Sequence, residues 1–233
     1  MAPPTPEINF YFDLVSPFSY IAFQVLKNST IFQSCKITYT PVSLRTILTT
    51  CGNPPPIAVK NKLTYINRHR LAWSRRLNIP MTQAVPTGFP FPTTDIQSLL
   101  ALVAVSHPEK VVEIVERLYT SVWADGDSAI VTDSGRYTKV LEEVSGGDVV
   151  EGLLDGEKQT EGKTLLEANT HRAIEEGAFG LPWLACTSPA GEKEGFWGVD
   201  HLGLAAEFLG LDVGMEAERW PDAWKYRRRH KPN

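Results

Sequence analysis

Cysteine is scarce in this chain. The three that occur, Cys35, Cys51 and Cys186, form no CxxC pair and show no metal-ligand spacing. Dithiol redox chemistry and a cysteine-bound metal are therefore not expected, and scattered thiols fit a reduced, intracellular compartment. An excess of positive charge is also missing. The formal net charge of −4 provides no basic field for nucleic acid. No apolar run approaches the length of a membrane span. Met1 to Pro6 lacks both an apolar signal core and an Arg-rich amphipathic pattern. Internal repeats and long low-complexity segments are absent as well. What is present is ordinary for a folded protein. The 233 residues are 42% hydrophobic and 21% charged, enough for one large domain or a core with a sizeable insertion.

The stretch around which the chain is organised is Phe10-Tyr11-Phe12-Asp13-Leu14-Val15-Ser16-Pro17-Phe18-Ser19-Tyr20. An apolar run from Ile8 to Val15 reads as a strand. Ile21, Ala22, Val25 and Leu26 then recur at helical spacing. Ser16 stands where an N-cap belongs and Pro17 at the first helical position. A helix start directs unpaired N–H groups and partial positive charge outward, so Ser16 either only caps its helix or also sits where an anion is stabilised.

Lys36 to Val42 alternates and reads as a second strand, parallel to the first through a right-handed crossover, ending near Pro41. Beyond it, Leu44–Thr50, Ala58–Asn78, Asp95–Ser106, Pro108–Ala124, Asp133–Val144 and Val149–Leu154 read as helices. Gly52 to Pro56 and the Pro-rich loop Pro80–Pro92 interrupt them. Thr164–Glu176 is a further helix. Leu181-Pro182 leads into a strand, Pro189-Ala190-Gly191 makes a turn, and Gly195 to Gly198 resembles a short second strand. A last helix runs from Leu202 to Leu209. The order β-α-β, helical block, α-β-β-α is that of an α/β, thioredoxin-like fold split by an all-helical insertion. Residues 1–43 and 164–214 would form the thioredoxin-like part, 44–163 the insertion and 215–233 a tail. The carboxyl end of the first strand, at Ser16, is then one expected ligand position.

Four pieces in order carry a resemblance. They are Asp13 to Ser19, Gly52 to Pro56 followed by Lys62 and Tyr65, Gly177 to Pro182, and Phe196 to Leu202. Together they resemble the kappa-class glutathione transferases and the 2-hydroxychromene-2-carboxylate isomerases, which have a DsbA-like thioredoxin fold with a helical insertion. The resemblance spans about Ile8 to Leu209. It implies glutathione as co-substrate or cofactor, with Ser16 as the catalytic residue in the place of the first cysteine of a CxxC. A hydroxyl donor at a helix N-terminus would lower the pKa of a thiol that otherwise titrates near ~8.5. Serine forms no mixed disulfide, so thiol activation is expected rather than exchange.

The resemblance also implies that Asn53 and Lys62 bind glutathione, Lys62 by pairing with the glycyl carboxylate. On periodicity alone Lys62 is a solvated helix-face charge. Leu181-Pro182 is similar to a cis-proline loop whose preceding backbone groups pair with the cysteinyl unit, and is otherwise an ordinary strand-start proline. Asp200 matches the acid that receives the γ-glutamyl ammonium, a role compatible with helix-start charge complementarity. Val199 stands where many relatives have a small hydroxyl residue, leaving only its backbone N–H for that part of the ligand. Asn67-Arg68-His69-Arg70 also departs from the family, which often has an acid there.

Two enzymatic readings follow from the resemblance. One is conjugation of glutathione to a hydrophobic small-molecule electrophile, with Trp73, Phe89, Phe91, Trp123, Trp183 and Trp197 available as wall. The other is a glutathione-dependent cis-trans isomerisation of a conjugated substrate. A third, of another class, is a non-catalytic thiol-peptide binder. A homodimer is expected from the relatives, with no nucleic-acid partner and no membrane span. The expected location is the cytoplasm, with mitochondrion and peroxisome left open. The basic run Arg227 to Lys231 reads as a solvated tail.

Overall fold

A computed structural model describes residues 4–213. The tail with Trp220, Trp224 and the basic run lies outside the described residues. Four strands form one mixed sheet in the order β2-β1-β3-β4. Strand β1 (Glu7–Phe12) is central, parallel to β2 (Lys36–Pro41) and antiparallel to β3 (Trp183–Thr187). In turn β3 pairs antiparallel with β4 (Lys193–Trp197). Ile8, Phe10 and Phe12 point to one face and are buried. On the other face Tyr11 packs with Val42, Ile47, Ala173 and Trp183. Apolar side chains on both faces are what a strand covered on both sides requires. The strand stops at Phe12 rather than Val15, because the Asp13 carboxylate accepts the Val15 N–H at 3.1 Å and turns the chain locally.

The helices are α1 (Pro17–Asn28), α2 (Leu44–Thr50), α3 (Lys62–Leu77), α4 (Thr94–Ser106), α5 (Pro108–Tyr119), α6 (Ala129–Thr132), α7 (Ser134–Ser145), α8 (Gly147–Leu153), α9 (Gly156–Glu175) and α10 (Leu202–Phe208). Short 3-10 turns lie at Thr30–Phe32, Pro56–Ala58 and Val199–His201. Helix α6 has no counterpart in the periodicity, and three helix boundaries differ from it by more than two residues. Helix α3 starts at Lys62, not Ala58, because Asn61 takes a left-handed φ of 70° that no helix continues through. Helix α5 ends at Tyr119 and passes into a π turn, Thr120–Ala124. Helix α9 begins eight residues before Thr164, with Asp155 capping it by accepting the Glu157 N–H. Gly156 and Gly162 hide that start, since glycine is a poor helix former. Gly162 is there for contact with α4: a Cβ would lie 2.8 Å from the Ser98 carbonyl oxygen. The boundary expected at 163/164 thus falls inside one continuous helix.

The helical block and the sheet share a core. Tyr119 of α5 stacks among Phe12, Tyr20 and Phe23 at centroid distances of 6.0, 5.6 and 5.6 Å. Gln97 of α4 donates both to the Phe12 carbonyl (2.9 Å) and to the Val42 carbonyl (3.0 Å), closing the ends of β1 and β2. The block is therefore fastened to the very end of the sheet at which Ser16 lies.

Candidate active site

Ser16 caps α1. Its Oγ accepts the Ser19 N–H at 3.1 Å, and Pro17 occupies the first helical turn, where a missing N–H costs nothing. Because Oγ is the acceptor in this bond, its own hydrogen remains available to a ligand anion. Ser16 is only 4% exposed. Ser19 is wholly buried, with its hydroxyl beside the Tyr119 phenol. Cys35 and Cys186 lie elsewhere in the core, and burial pushes their thiols up to about 11 and about 12.

The turn ahead of Ser16 is held from the helical block. Gln97 takes the Phe12 carbonyl, the Tyr119 hydroxyl donates to the Asp13 carbonyl at 3.0 Å, and the Trp123 indole N–H donates to the Leu14 carbonyl at 2.9 Å. The Asp13 carboxylate accepts from Val15 N–H, Leu44 N–H (2.9 Å) and the Thr93 hydroxyl (2.7 Å). Burial raises the Asp13 pKa, while the donors from Leu44, Thr93 and Val15 pull it back down. Burial, and next the Asp13 charge, hold the Tyr119 phenol well above its usual value. Asp13, Thr93, Gln97 and Tyr119 escaped the sequence reading, although an acid three residues before the cap was a visible signal. Their roles depend on partners 31 to 106 positions away.

The other predicted residues, expected to rim the site, lie on adjoining elements: α3 and the Val199–His201 turn both contact α1, and Asn53 is tied to the loop before Pro182. The β1–β3 register ends at the Tyr11–Trp183 pair, so Leu181 and Pro182 immediately precede the strand that pairs with the end of β1. The Leu181–Pro182 bond is cis, as is Phe89–Pro90. Asn53 donates through Nδ2 to the Phe179 carbonyl at 2.9 Å, tying the end of α2 to the loop before Pro182 and leaving Oδ1 as its unused group. Lys62 opens α3 and makes no ion pair among the described residues. A cation at a helix N-terminus gains nothing from the helix charge. The Val199–His201 turn packs against α1. Val199 buries its side chain in the core, whereas the Asp200 side chain is exposed, 3.6 Å from His201 Nδ1. Gly198, at φ 88°, permits the turn, because a Cβ there would collide with the Asp200 carboxylate.

The aromatics divide into two groups. Phe89, Phe91 and Trp123 pack on one another at 5.8 to 6.3 Å, and the Arg70 guanidinium lies 5.9 Å above Trp123. Trp183 and Trp197 flank Phe179 at 6.1 and 4.9 Å; Phe179 and Trp197 are each 42% exposed. Among the described residues no group of His, Cys, Asp and Glu could hold a metal ion, and no helix is long and apolar enough to cross a membrane.

Several known proteins resemble the chain in sequence and fold. The chain is 27% identical over 217 residues to the Caenorhabditis elegans protein named glutathione S-transferase kappa 1, covering 89% of this chain and 92% of that one. It is 27% identical over 207 residues to the Pseudomonas putida 2-hydroxychromene-2-carboxylate isomerase, covering 87% and 94%. A solved 2-hydroxychromene-2-carboxylate isomerase superposes with a TM-score of 0.70 at 24% identity, over 88% of this chain and 94% of that one. A model of the DSBA-like thioredoxin domain matches residues 7–210, from the first strand to the end of the last helix. The chain belongs to the family of DSBA-like thioredoxin domains.

Proposed function

We propose that the protein is a glutathione-dependent enzyme that holds the glutathione thiolate at Ser16 and adds it to a hydrophobic electrophile. The observation that carries this reading is the Ser16 cap. Its hydroxyl hydrogen is free and the positive end of α1 lies beside it, in a turn with no cysteine. In the proposed reaction the thiol proton leaves to solvent. The thiolate is stabilised by the Ser16 O–H and the helix start; its electron pair forms the new C–S bond as the electrophile's π bond breaks, and the carbanion or enolate so formed takes a proton from solvent. Leu181 offers backbone pairing to the cysteinyl unit, Lys62 meets the glycyl carboxylate and Asp200 the γ-glutamyl ammonium. Asn53, through Oδ1 alone, accepts a backbone N–H of the tripeptide. The similarity to kappa transferases and the geometry of the cap both support this assignment.

A second reading has support of its own, since the isomerase relatives match as much of the chain as the transferases do. There the C–S bond forms, the adjacent bond rotates and the thiolate is expelled unchanged. Loss of free thiol in proportion to product marks conjugation; its full recovery marks isomerisation. The test of the shared step is titration of thiolate absorbance in the glutathione complex. Ser16→Ala should raise the bound pKa by about 1–2 units, the worth of one hydrogen bond to a charged group. An unchanged titration removes Ser16 from the chemistry, and binding without turnover of any electrophile leaves a binding protein.

A further inference from the structure

Between Asp13 and Asp95 the chain carries nine Lys and Arg residues and no Asp or Glu, although the chain as a whole is net negative. Lys27 and Lys36 of that stretch are paired with Glu116 and Glu7. Arg45, Lys60, Lys62, Arg68, Arg70 and Arg75 form no ion pair among the described residues. Arg70 is buried and turned inward, onto the Asn67 side chain and the Thr82 and Gln83 carbonyls. Lys60, Arg68 and Arg75 are exposed. On α3 the exposed Tyr65, Arg68, Ala72 and Arg75 follow one another at spacings of three and four, which puts them in a single outward stripe.

The short turn before α3, which packs against it, is also apolar. Ile57, Val59 and Tyr65 are 57%, 37% and 58% exposed, three large hydrophobics within nine residues, held out by the Pro54-Pro55-Pro56 run. Scattered exposed apolar residues need no explanation, but a cluster set among unpaired cations does. A second copy meeting this face across a two-fold axis would set cation against cation. Phosphate recognition on a nucleic acid would use the cations but gain nothing from Ile57 and Val59. A bilayer with anionic headgroups uses both, taking aliphatic side chains at the acyl boundary and cations at the headgroups.

We propose that the acid-free segment Ile57 to Arg75, through its exposed Ile57, Val59, Lys60, Tyr65, Arg68 and Arg75, forms a face that docks the protein reversibly on an anionic phospholipid surface. Asn53 and Lys62 border this face, so docking turns the rim of the Ser16 site toward a reservoir of apolar electrophiles. Docking itself does not depend on glutathione, so its test stands or falls apart from the proposed reaction.

The experiment is co-sedimentation of the full chain with vesicles of phosphatidylcholine alone or with 30% phosphatidylserine (about 30 mol%), at low and high salt. The wild type should sediment with the anionic vesicles only, and salt should release it. Each cation near such a surface is worth roughly fivefold in partitioning, so Arg68→Glu/Arg75→Glu should weaken binding by about twentyfold or more. Arg68→Lys/Arg75→Lys should retain it, and Ile57→Ser/Val59→Ser should weaken it several-fold. Circular dichroism checks that each variant is folded. The proposal is overturned by a wild type that stays in solution at low salt, or by Glu and Ser variants that sediment like wild type. It is equally overturned if removing residues 214–233 alone abolishes binding, or if the same substitutions dissociate a dimer that binds no vesicles.

Discussion

In the Asp13–Ser16 turn, the carbonyls of Phe12, Asp13 and Leu14 each receive a side-chain donor from the helical block, and the Asp13 carboxylate takes three donors more. On the proposed rim, Asn53 holds a neighbouring loop, Lys62 makes no ion pair among the described residues and the Asp200 side chain is exposed. The turn is thus over-determined and buried, while Asn53, Lys62 and Asp200 are half-exposed or exposed and only locally tethered. The difference teaches a division of labour. A group that must present one hydroxyl to one sulfur gains from rigid support. Groups that receive charged termini of a flexible tripeptide gain from being solvated until the ligand arrives. Substitutions in the turn should cost stability and chemistry together, and substitutions on the rim should cost affinity alone.

Asp13→Ala is the largest way to break this contrast. It strips an acceptor from Leu44 N–H, Val15 N–H and the Thr93 hydroxyl in a buried place, at a cost of about 3–5 kcal/mol in urea unfolding. The pH dependence has a definite sign. Burial raises the folded-state pKa of Asp13 above its unfolded value, so the native state binds the extra proton. The stabilisation linked to this group is fully present below about 4 and is lost as pH rises through the folded pKa. The stability gap between wild type and Asp13→Ala should therefore be wider at acid pH than at pH 7. A gap that widens toward neutrality would mean that the donors outweigh burial, and the turn would have to be read as a site built for charge.

On the rim, Lys62→Gln and Asp200→Asn should each raise the Kd for glutathione by about 10- to 100-fold, the range for a hydrogen-bonded charge contact. The stability change should stay within about 0.5 kcal/mol, since neither side chain is buried or hydrogen-bonded into the core. Calorimetric titration beside denaturant unfolding separates the two. An unfolding midpoint that drops as far as that of Asp13→Ala would erase the distinction between turn and rim.

Much of this layout is visible in the residue order. Ser16-Pro17 before a 3.6-residue periodicity specifies a capped helix, and Leu44–Thr50 ends at Cys51-Gly52 because no helix continues through that turn. Such features rest on neighbours in sequence. The supports of the turn do not, since Tyr119, Trp123 and Gln97 look like any other residues of an amphipathic helix until the fold sets them beside β1. The start of α9 was hidden for a related reason: Gly162 weakens the helix locally and is placed there by the close approach of α4. The acid-free run from Leu14 to Thr94 needed only counting, and its meaning appeared once Ile57, Val59 and Tyr65 proved to be exposed on the same stretch.

Tyr119→Phe is the smallest change and the most discriminating. It keeps the ring that stacks on Phe12, Tyr20 and Phe23 and removes only the hydroxyl that donates to the Asp13 carbonyl. One such bond is worth about 1 kcal/mol of stability. Tyr119 donates to a carbonyl three residues ahead of Ser16 and belongs to the helical block. If that block positions the hydroxyl, losing the tether should still raise the pKa of bound glutathione, by a few tenths of a unit, with Kd for a non-thiol glutathione analogue unchanged. Asp200→Asn should do the reverse, moving Kd and leaving the thiolate pKa in place. Should Tyr119→Phe lower stability and leave the titration untouched, the clamp on the turn serves folding only, and Ser16 needs nothing from the helical block beyond its own helix start.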